Sequence, residues 1–146
     1  MQMTKEDIGR LLPHGDSMRL LDCVEVWDET TIRCRTATHR HQQHPLRFRG
    51  RLTVSAGLEY AAQAMGTHVG LMSRGQRAEA PIGYVGSVRD VMFSVSYLDD
   101  LAGDLTIEAS RMAEGADSYM YRFTVSHCGS ALIEGRAAIF IQSTVR

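Results

Sequence analysis

Cysteines are few in this chain and none lies near another. Cys23, Cys34 and Cys128 form no Cys-x-x-Cys pair. That excludes a disulfide framework and a cysteine zinc site, and it suits the reduced thiols of a cytoplasmic protein. An excess of one charge is missing too, with 16 Lys and Arg against 17 Asp and Glu and a formal net charge of −1. Nothing global draws such a chain to nucleic acid or an anionic membrane, and no basic stripe with interleaved aromatics argues otherwise. No apolar run approaches the roughly 18 residues of a membrane span. The opening MQMTKEDIGRLL carries acids where a signal peptide has a basic flank and an apolar core, which again leads to the expectation of a cytoplasmic protein. No repeat, low-complexity tract or linker interrupts the 146 residues. One domain over 1–146 with a genuine core is expected.

What the chain does have is one long helix pattern. Over about 53–74, Val54, Leu58, Ala61, Met65, Val69 and Met72 recur at steps of three or four, the mark of a buried helix face. Thr53 is the expected N-cap, its hydroxyl satisfying an orphan amide of the first turn. Small residues (Ala56, Gly57, Ala61, Ala62, Ala64, Gly66, Gly70) thin this helix on all sides. A helical glycine costs about 1 kcal/mol relative to alanine, so its repetition predicts close packing all round. Glu59 and Gln63 interrupt the helix one turn apart, on one face.

Before it, a short helix is expected over 4–12, capped by Thr4 and stopped by Pro13, with a turn over 13–16. Strands over 18–27 and 30–38 follow, joined by Asp28-Glu29, and 39–51 is a loop dense in His, Gln and Arg. After the helix, 76–81 is a surface connection and the pattern switches to period two. A long or broken strand over 82–97 holds Gly83 and Gly86, expected at a bulge or a close backbone approach. Three alternating strands follow, marked by Leu105, Ile107 and Ala109, then Tyr119, Tyr121, Phe123 and Val125, then Ile133, Ala137, Ile139 and Ile141. Gly115 with Asp117, and Cys128-Gly129-Ser130, supply the hairpin turns. An antiparallel sheet of this size must wrap one apolar helix to bury it. The expected class is α+β with the hotdog architecture.

Four stretches carry a family resemblance: Ile8-x-x-Leu11-Leu12-Pro13-His14, Met18-x-Leu20-Leu21-Asp22, His44-Pro45, and Gly57-Leu58-Glu59-Tyr60-Ala61-Ala62-Gln63. Together they resemble the 3-hydroxyacyl-[acyl-carrier-protein] dehydratases of the hotdog superfamily. Within it, the His-Pro loop and the Glu-Tyr-x-Ala-Gln helix are most similar to dehydratases encoded with aryl-polyene and related polyketide pathways. The likeness spans nearly the full length, although Thr53-Val54 stands where the fatty-acid enzymes carry Pro-Gly. It implies His44 and Glu59 as the catalytic pair, the histidine of one subunit working with the acid of its mate in an obligate dimer. It also implies acyl carrier protein as partner, with the substrate on its phosphopantetheine arm and no other cofactor.

Elementary chemistry agrees. Dehydrating a 3-hydroxyacyl thioester takes a base for the C2 proton, an acid for the leaving hydroxyl and a donor for the charge on the carbonyl. Histidine, with an unperturbed pKa near 6.5, suits the base. A carboxylic acid donates the proton only where burial keeps it protonated, and Glu59 lies in the most apolar helix of the chain. The amides of Val54 and Ser55, at the helix entry, are the expected oxyanion donors. Gln63 would orient the carboxyl group or a water.

Blander readings stand beside these. Glu59 could merely pair with Arg47, Arg49 or Arg89, and His44 could be an exposed loop histidine. His39, His41 and His44 lack a cysteine or carboxylate at zinc-ligand spacing, so no metal is expected. His14 reads as structural, His68 as a helix-face residue and His127 as a strand-end one. The methionines read as gap-fillers, some of them candidates to line an acyl tunnel. Arg47, Arg49 and Arg51 are normally a solvated loop, with contact to an acidic carrier protein or its phosphate as the functional option. Three rival functions remain: a hotdog thioesterase, which would need no His44; a non-catalytic subunit stabilising a dehydratase-like partner in a hetero-oligomer; and hydration of an enoyl-coenzyme A, the same chemistry reversed.

Overall fold

A computed structural model describes residues 2–11, 18–73 and 82–142. The expected turn over 13–16, with Pro13 and His14, and the connection over 76–81 lie outside the described residues. Helix α1 (Lys5–Gly9) starts where predicted. The Thr4 hydroxyl accepts the Asp7 amide at 3.3 Å, and the Asp7 carboxylate accepts the Thr4 amide at 3.2 Å. This reciprocal pair satisfies two orphan donors of the first turn.

Six strands follow: β1 (Cys23–Trp27), β2 (Thr31–Thr36), β3 (Ile82–Phe93), β4 (Leu105–Glu114), β5 (Ser118–His127) and β6 (Ser130–Gln142). They form one sheet in the order β1-β2-β4-β5-β6-β3, every neighbour antiparallel. The period-two pattern lands as expected. Leu105, Ile107 and Ala109, then Tyr121, Phe123 and Val125, then Ile133, Ala137 and Ile139 are buried. The β5–β6 turn places Cys128 and Gly129 at φ 50 and 81, the two positive values a tight hairpin requires.

The sheet curls because its ladders are broken by extra residues, between Val24 and Val26, Val85 and Ser87, Arg89 and Met92, and Arg111 and Ala113. Each such bulge bends its strand and raises the local twist. Gly86 sits at the first β3 irregularity because a Cβ there would lie 2.2 Å from the Phe140 ring. Wrapped inside is α2 (Gly57–Met72), which packs against β2, β3, β4, β5 and β6. Tyr60, Ala61, Gln63, Ala64, Met65, Thr67, His68 and Val69 are all buried. Successive helical residues turn by about 100°, so this set covers about two thirds of the circumference and leaves a half-buried stripe at Glu59, Ala62 and Gly66. The arrangement is the hotdog fold.

Two local expectations fail. The first strand begins at Cys23 instead of residue 18, because the helix takes up the backbone of 18–20. Leu20 N–H donates to Gln63 Oε1 at 2.9 Å, and the Leu20 carbonyl accepts the Thr36 and Thr38 hydroxyls at 2.6 and 2.7 Å. The Thr53 hydroxyl does not cap the helix. It pairs with Ser55 Oγ at 2.9 Å, and a 3-10 turn over Val54–Ala56 intervenes before the α-helix proper.

Candidate active site

The loop carrying His44 is built around Arg47. Its guanidinium donates to the His41 carbonyl at 2.8 Å and to the Gly50 carbonyl at 2.7 Å, tying both ends of the loop to one side chain. Arg49 and Gly50 turn the chain at φ 54 and 78. Arg51 then pairs with Asp99 at 2.9 Å and Asp100 at 2.7 Å, with its guanidinium 3.8 Å from the Tyr97 ring centre. Two of the three arginines foreseen as carrier-protein contacts thus fasten the loop. Arg49 remains exposed, beside a Phe48 that is 69% exposed.

His44 itself is only 5% exposed. Its Nδ1 accepts the Leu46 amide at 3.0 Å, and its Nε2 lies 3.0 Å from Tyr60 Oη. Burial first, then the charges of Arg47, His41 and His39, lower its pKa to about 4, so the ring is neutral near pH 7. The ring borders a recess of about 200 Å³ shared with Lys5, Arg19, Leu20, Thr38 and Pro45. His39 has a different task, its Nε2 donating to the Leu101 carbonyl at 2.9 Å.

The entry to α2 is stitched to the segment before β4. Leu52 N–H donates to Asp99 Oδ1 and Leu98 N–H to the Leu52 carbonyl, both at 2.9 Å. Val54 N–H is spent in the same seam, on the Ser96 carbonyl at 2.9 Å. The expectation that Val54 serves as an oxyanion donor is therefore corrected, because a donor already satisfied within the fold has no hydrogen to offer a substrate. Ser55, one residue on and exposed, is left as the amide of that pair.

One turn into the helix, Gln63 binds three groups at once. Its Oε1 takes Leu20 N–H, while its Nε2 donates to the Met18 carbonyl and to Glu59 Oε2 at 3.0 Å. An amide clamped to the 18–20 backbone thus aims its remaining hydrogen at the half-buried Glu59 carboxyl group. Among the described residues that line the His44 recess, Glu59 is not one. Tyr60, the next residue in the chain after Glu59, is fully buried and hydrogen-bonded to both His44 and Thr38. Sequence reasoning used Tyr60 only as a motif letter. A hydroxyl next to Glu59, on a mostly buried helix and so needing partners, is the signal that finds it.

Over residues 6–145 the sequence matches the ApeP-like family, described as ApeP dehydratase. No curated protein sequence matches it significantly. Among solved structures, a chain of the dehydratase heterocomplex ApeI:P from Xenorhabdus doucetiae superposes with a TM-score of 0.82 at 21% identity, over 94% of this chain and 91% of that one. AziG from S. sahachiroi gives 0.66 at 16% identity, over 90% and 98% of the two chains. A hypothetical thioesterase bound to coenzyme A, from Streptococcus pneumoniae TIGR4, gives 0.60 at 13% identity, over 82% and 84%. Likenesses this distant in sequence speak for the fold, whereas the family match runs almost from end to end: this protein belongs to the ApeP-like dehydratase family.

Proposed function

We propose that this chain is a subunit of a hotdog dehydratase converting a 3-hydroxyacyl thioester on acyl carrier protein to the trans-2-enoyl thioester, in fatty-acid-like, polyketide or aryl-polyene biosynthesis. The observation that carries the reading is that one chain holds both groups the elimination needs, a buried histidine at a recess and a carboxyl group hydrogen-bonded by Gln63. His44 takes the C2 proton, the C2–H electron pair becomes the new double bond, and the C3–O bond breaks as Glu59 protonates the departing hydroxyl. Ser55 N–H is the candidate donor to the thioester oxygen.

Because Glu59 is not among the described residues lining the His44 recess, the reading calls for a second hotdog chain, either another copy or a dehydratase-like partner. The free edge of β3 suits such a neighbour, with Tyr84, Val88, Met92 and Phe93 exposed along it and Met92 73% exposed. No helix among the described residues is long and apolar enough to cross a membrane, and a cytoplasmic site of action with Arg49 facing the carrier protein completes the proposal.

A second reading, a subunit that supports an active partner, is favoured by one fact: both ring nitrogens of His44 are engaged within the chain. Intact mass spectrometry of a short 3-hydroxyacyl-carrier-protein tests both, with the chain alone and with a dehydratase-like partner. Loss of one water, absent with Glu59→Gln, supports the dehydratase. Turnover of the complex that survives His44→Ala selects the supporting subunit. Release of free acid would make the protein a thioesterase.

A further inference from the structure

The connection between β3 and β4 is fastened in two places by different chemistry. Residues 96–100 are tied to the entry of α2. Val54 N–H donates to the Ser96 carbonyl, Leu98 N–H to the Leu52 carbonyl and Leu52 N–H to Asp99 Oδ1, each at 2.9 Å. The next two carbonyls are taken by imidazoles from elsewhere in the chain. His39, in the 3-10 turn Thr38–Arg40 after β2, donates from Nε2 to the Leu101 carbonyl at 2.9 Å. His127, at the end of β5, donates from Nε2 to the Ala102 carbonyl at 2.6 Å. A carbonyl only accepts, so each ring carries a hydrogen on Nε2, and Nδ1 of a neutral ring keeps its lone pair. The two rings differ in their surroundings. His127 is half-exposed. His39 is 0% exposed, and its Nδ1 is buried with no hydrogen-bond partner among the described residues.

We propose that His39 is a pH-sensitive clasp: neutral, it holds the β3–β4 connection against the base of the His44 loop, and on taking a proton it releases that connection locally. A second proton on the ring can go only to Nδ1. There it would belong to a charged donor sealed from water with nothing to accept it, a costly arrangement. Once the connection lifts, the ring meets water and takes the proton at the ordinary histidine pKa of about 6.5. Opening and proton uptake are therefore linked, and opening is favoured as pH falls below about 6.5. The groups facing the ring are Arg40 beside it, His127 from β5, Asp104 from the stretch before β4, and His44 on its own loop. Asp104, the anion of this set, is itself paired with Arg35 at 3.2 Å. Burial leads in holding His39 below the ordinary histidine range; Arg40 and His127 add to it, while the Leu101 carbonyl and Asp104 oppose it. Opening reaches the candidate site, because the same connection supplies the Ser96 carbonyl and the Asp99 carboxylate that fix the entry of α2 beside Ser55. The clasp works the same way whatever reaction that site performs.

Amide hydrogen exchange of the whole chain, followed by NMR at pH 7.5 and 5.5 and corrected for intrinsic exchange rates, tests the clasp. The amides of Leu52, Val54, Leu98 and Leu101 should lose about fivefold to tenfold in protection between the two, tenfold being the most that one histidine titrating near 6.5 in the open state allows. No loss in the unmutated chain overturns the proposal. In His39→Gln, whose side-chain amide can still donate to the Leu101 carbonyl and does not titrate, the loss should disappear, and an equal loss overturns the proposal. His127→Gln should leave the loss in place, and its disappearance there makes His127 the switch and overturns the assignment to His39. Nitrogen-15 NMR of the histidine-labelled unmutated protein needs no variant to fold. His39, correlated to its own backbone, should be the Nε2–H tautomer at pH 7.5, and an Nδ1–H tautomer overturns the proposal.

Discussion

Two buried histidines, each hydrogen-bonded to a tyrosine, do different work. His68 lies in α2 itself, 0% exposed, with Nε2 donating to the Asp28 carbonyl at 2.8 Å and Nδ1 accepting the Tyr121 hydroxyl at 2.6 Å. His44 lies on a loop, with its Nδ1 on a backbone amide and its Nε2 on Tyr60. Both rings are neutral, and burial is the leading cause of the lowered pKa in each. What separates them is access. His68 pins the β1–β2 connection to the core, while His44 borders an open recess beside two cations. A perturbed histidine is thus no sign of chemistry by itself, and the space in front of it decides.

The comparison breaks most visibly at turnover. His44→Ala should cost a hundredfold or more in dehydration per folded molecule, about 3 kcal/mol or above of transition-state free energy. Mass spectrometry of the acyl carrier protein reads it, and an unimpaired variant would put His44 in the same class as His68. Replacing His68 by Ala should do the reverse. It leaves the Tyr121 hydroxyl and the Asp28 carbonyl without partners around a new cavity, costing about 3 kcal/mol of stability in urea unfolding with turnover per folded molecule kept.

The pH dependence of stability sharpens the pair. With its folded pKa at about 4 against about 6.5 unfolded, His44 binds its proton first in the unfolded chain as pH falls. Stability from this group is therefore complete above about pH 6.5 and is lost on the way down to 4. His68 and His39 shift in the same direction. Urea midpoints should fall between pH 7.5 and 5, and His44→Ala should flatten that slope. Constant midpoints would mean the rings are not held neutral. The smallest effect belongs to Tyr121→Phe, which removes one buried donor to His68 and should cost about 1 kcal/mol in thermal melts without touching the kinetics.

Much of this was legible beforehand. The 3.6-residue stripe of Ala61, Met65 and Val69 and the period-two runs of β4, β5 and β6 are local patterns that only one sheet-around-helix arrangement can bury. Glu59 and Gln63, one turn apart, had to share a face, and they do, 3.0 Å apart. Reading failed where a backbone group found a distant partner. Residues 18–20 are apolar enough for a strand, yet Gln63 and the two threonines of β2 and its end satisfy their backbone instead. Val54 stood at the helix entry as a free donor until the chain around Ser96 folded onto it.

The sequence by itself determined the hotdog architecture, the helix to be buried and the residues able to do acid–base work, because hydrophobic period and residue chemistry are properties of neighbouring positions. Only the tertiary structure decided that Val54 is spent, that Arg47 and Arg51 fasten a loop, that Tyr60 faces His44, and that Glu59 is not among the described residues lining the His44 recess. Each of these depends on which hydrogen-bonding groups meet across tens of residues, and the direction of a donor is set only when the chain closes on its acceptor.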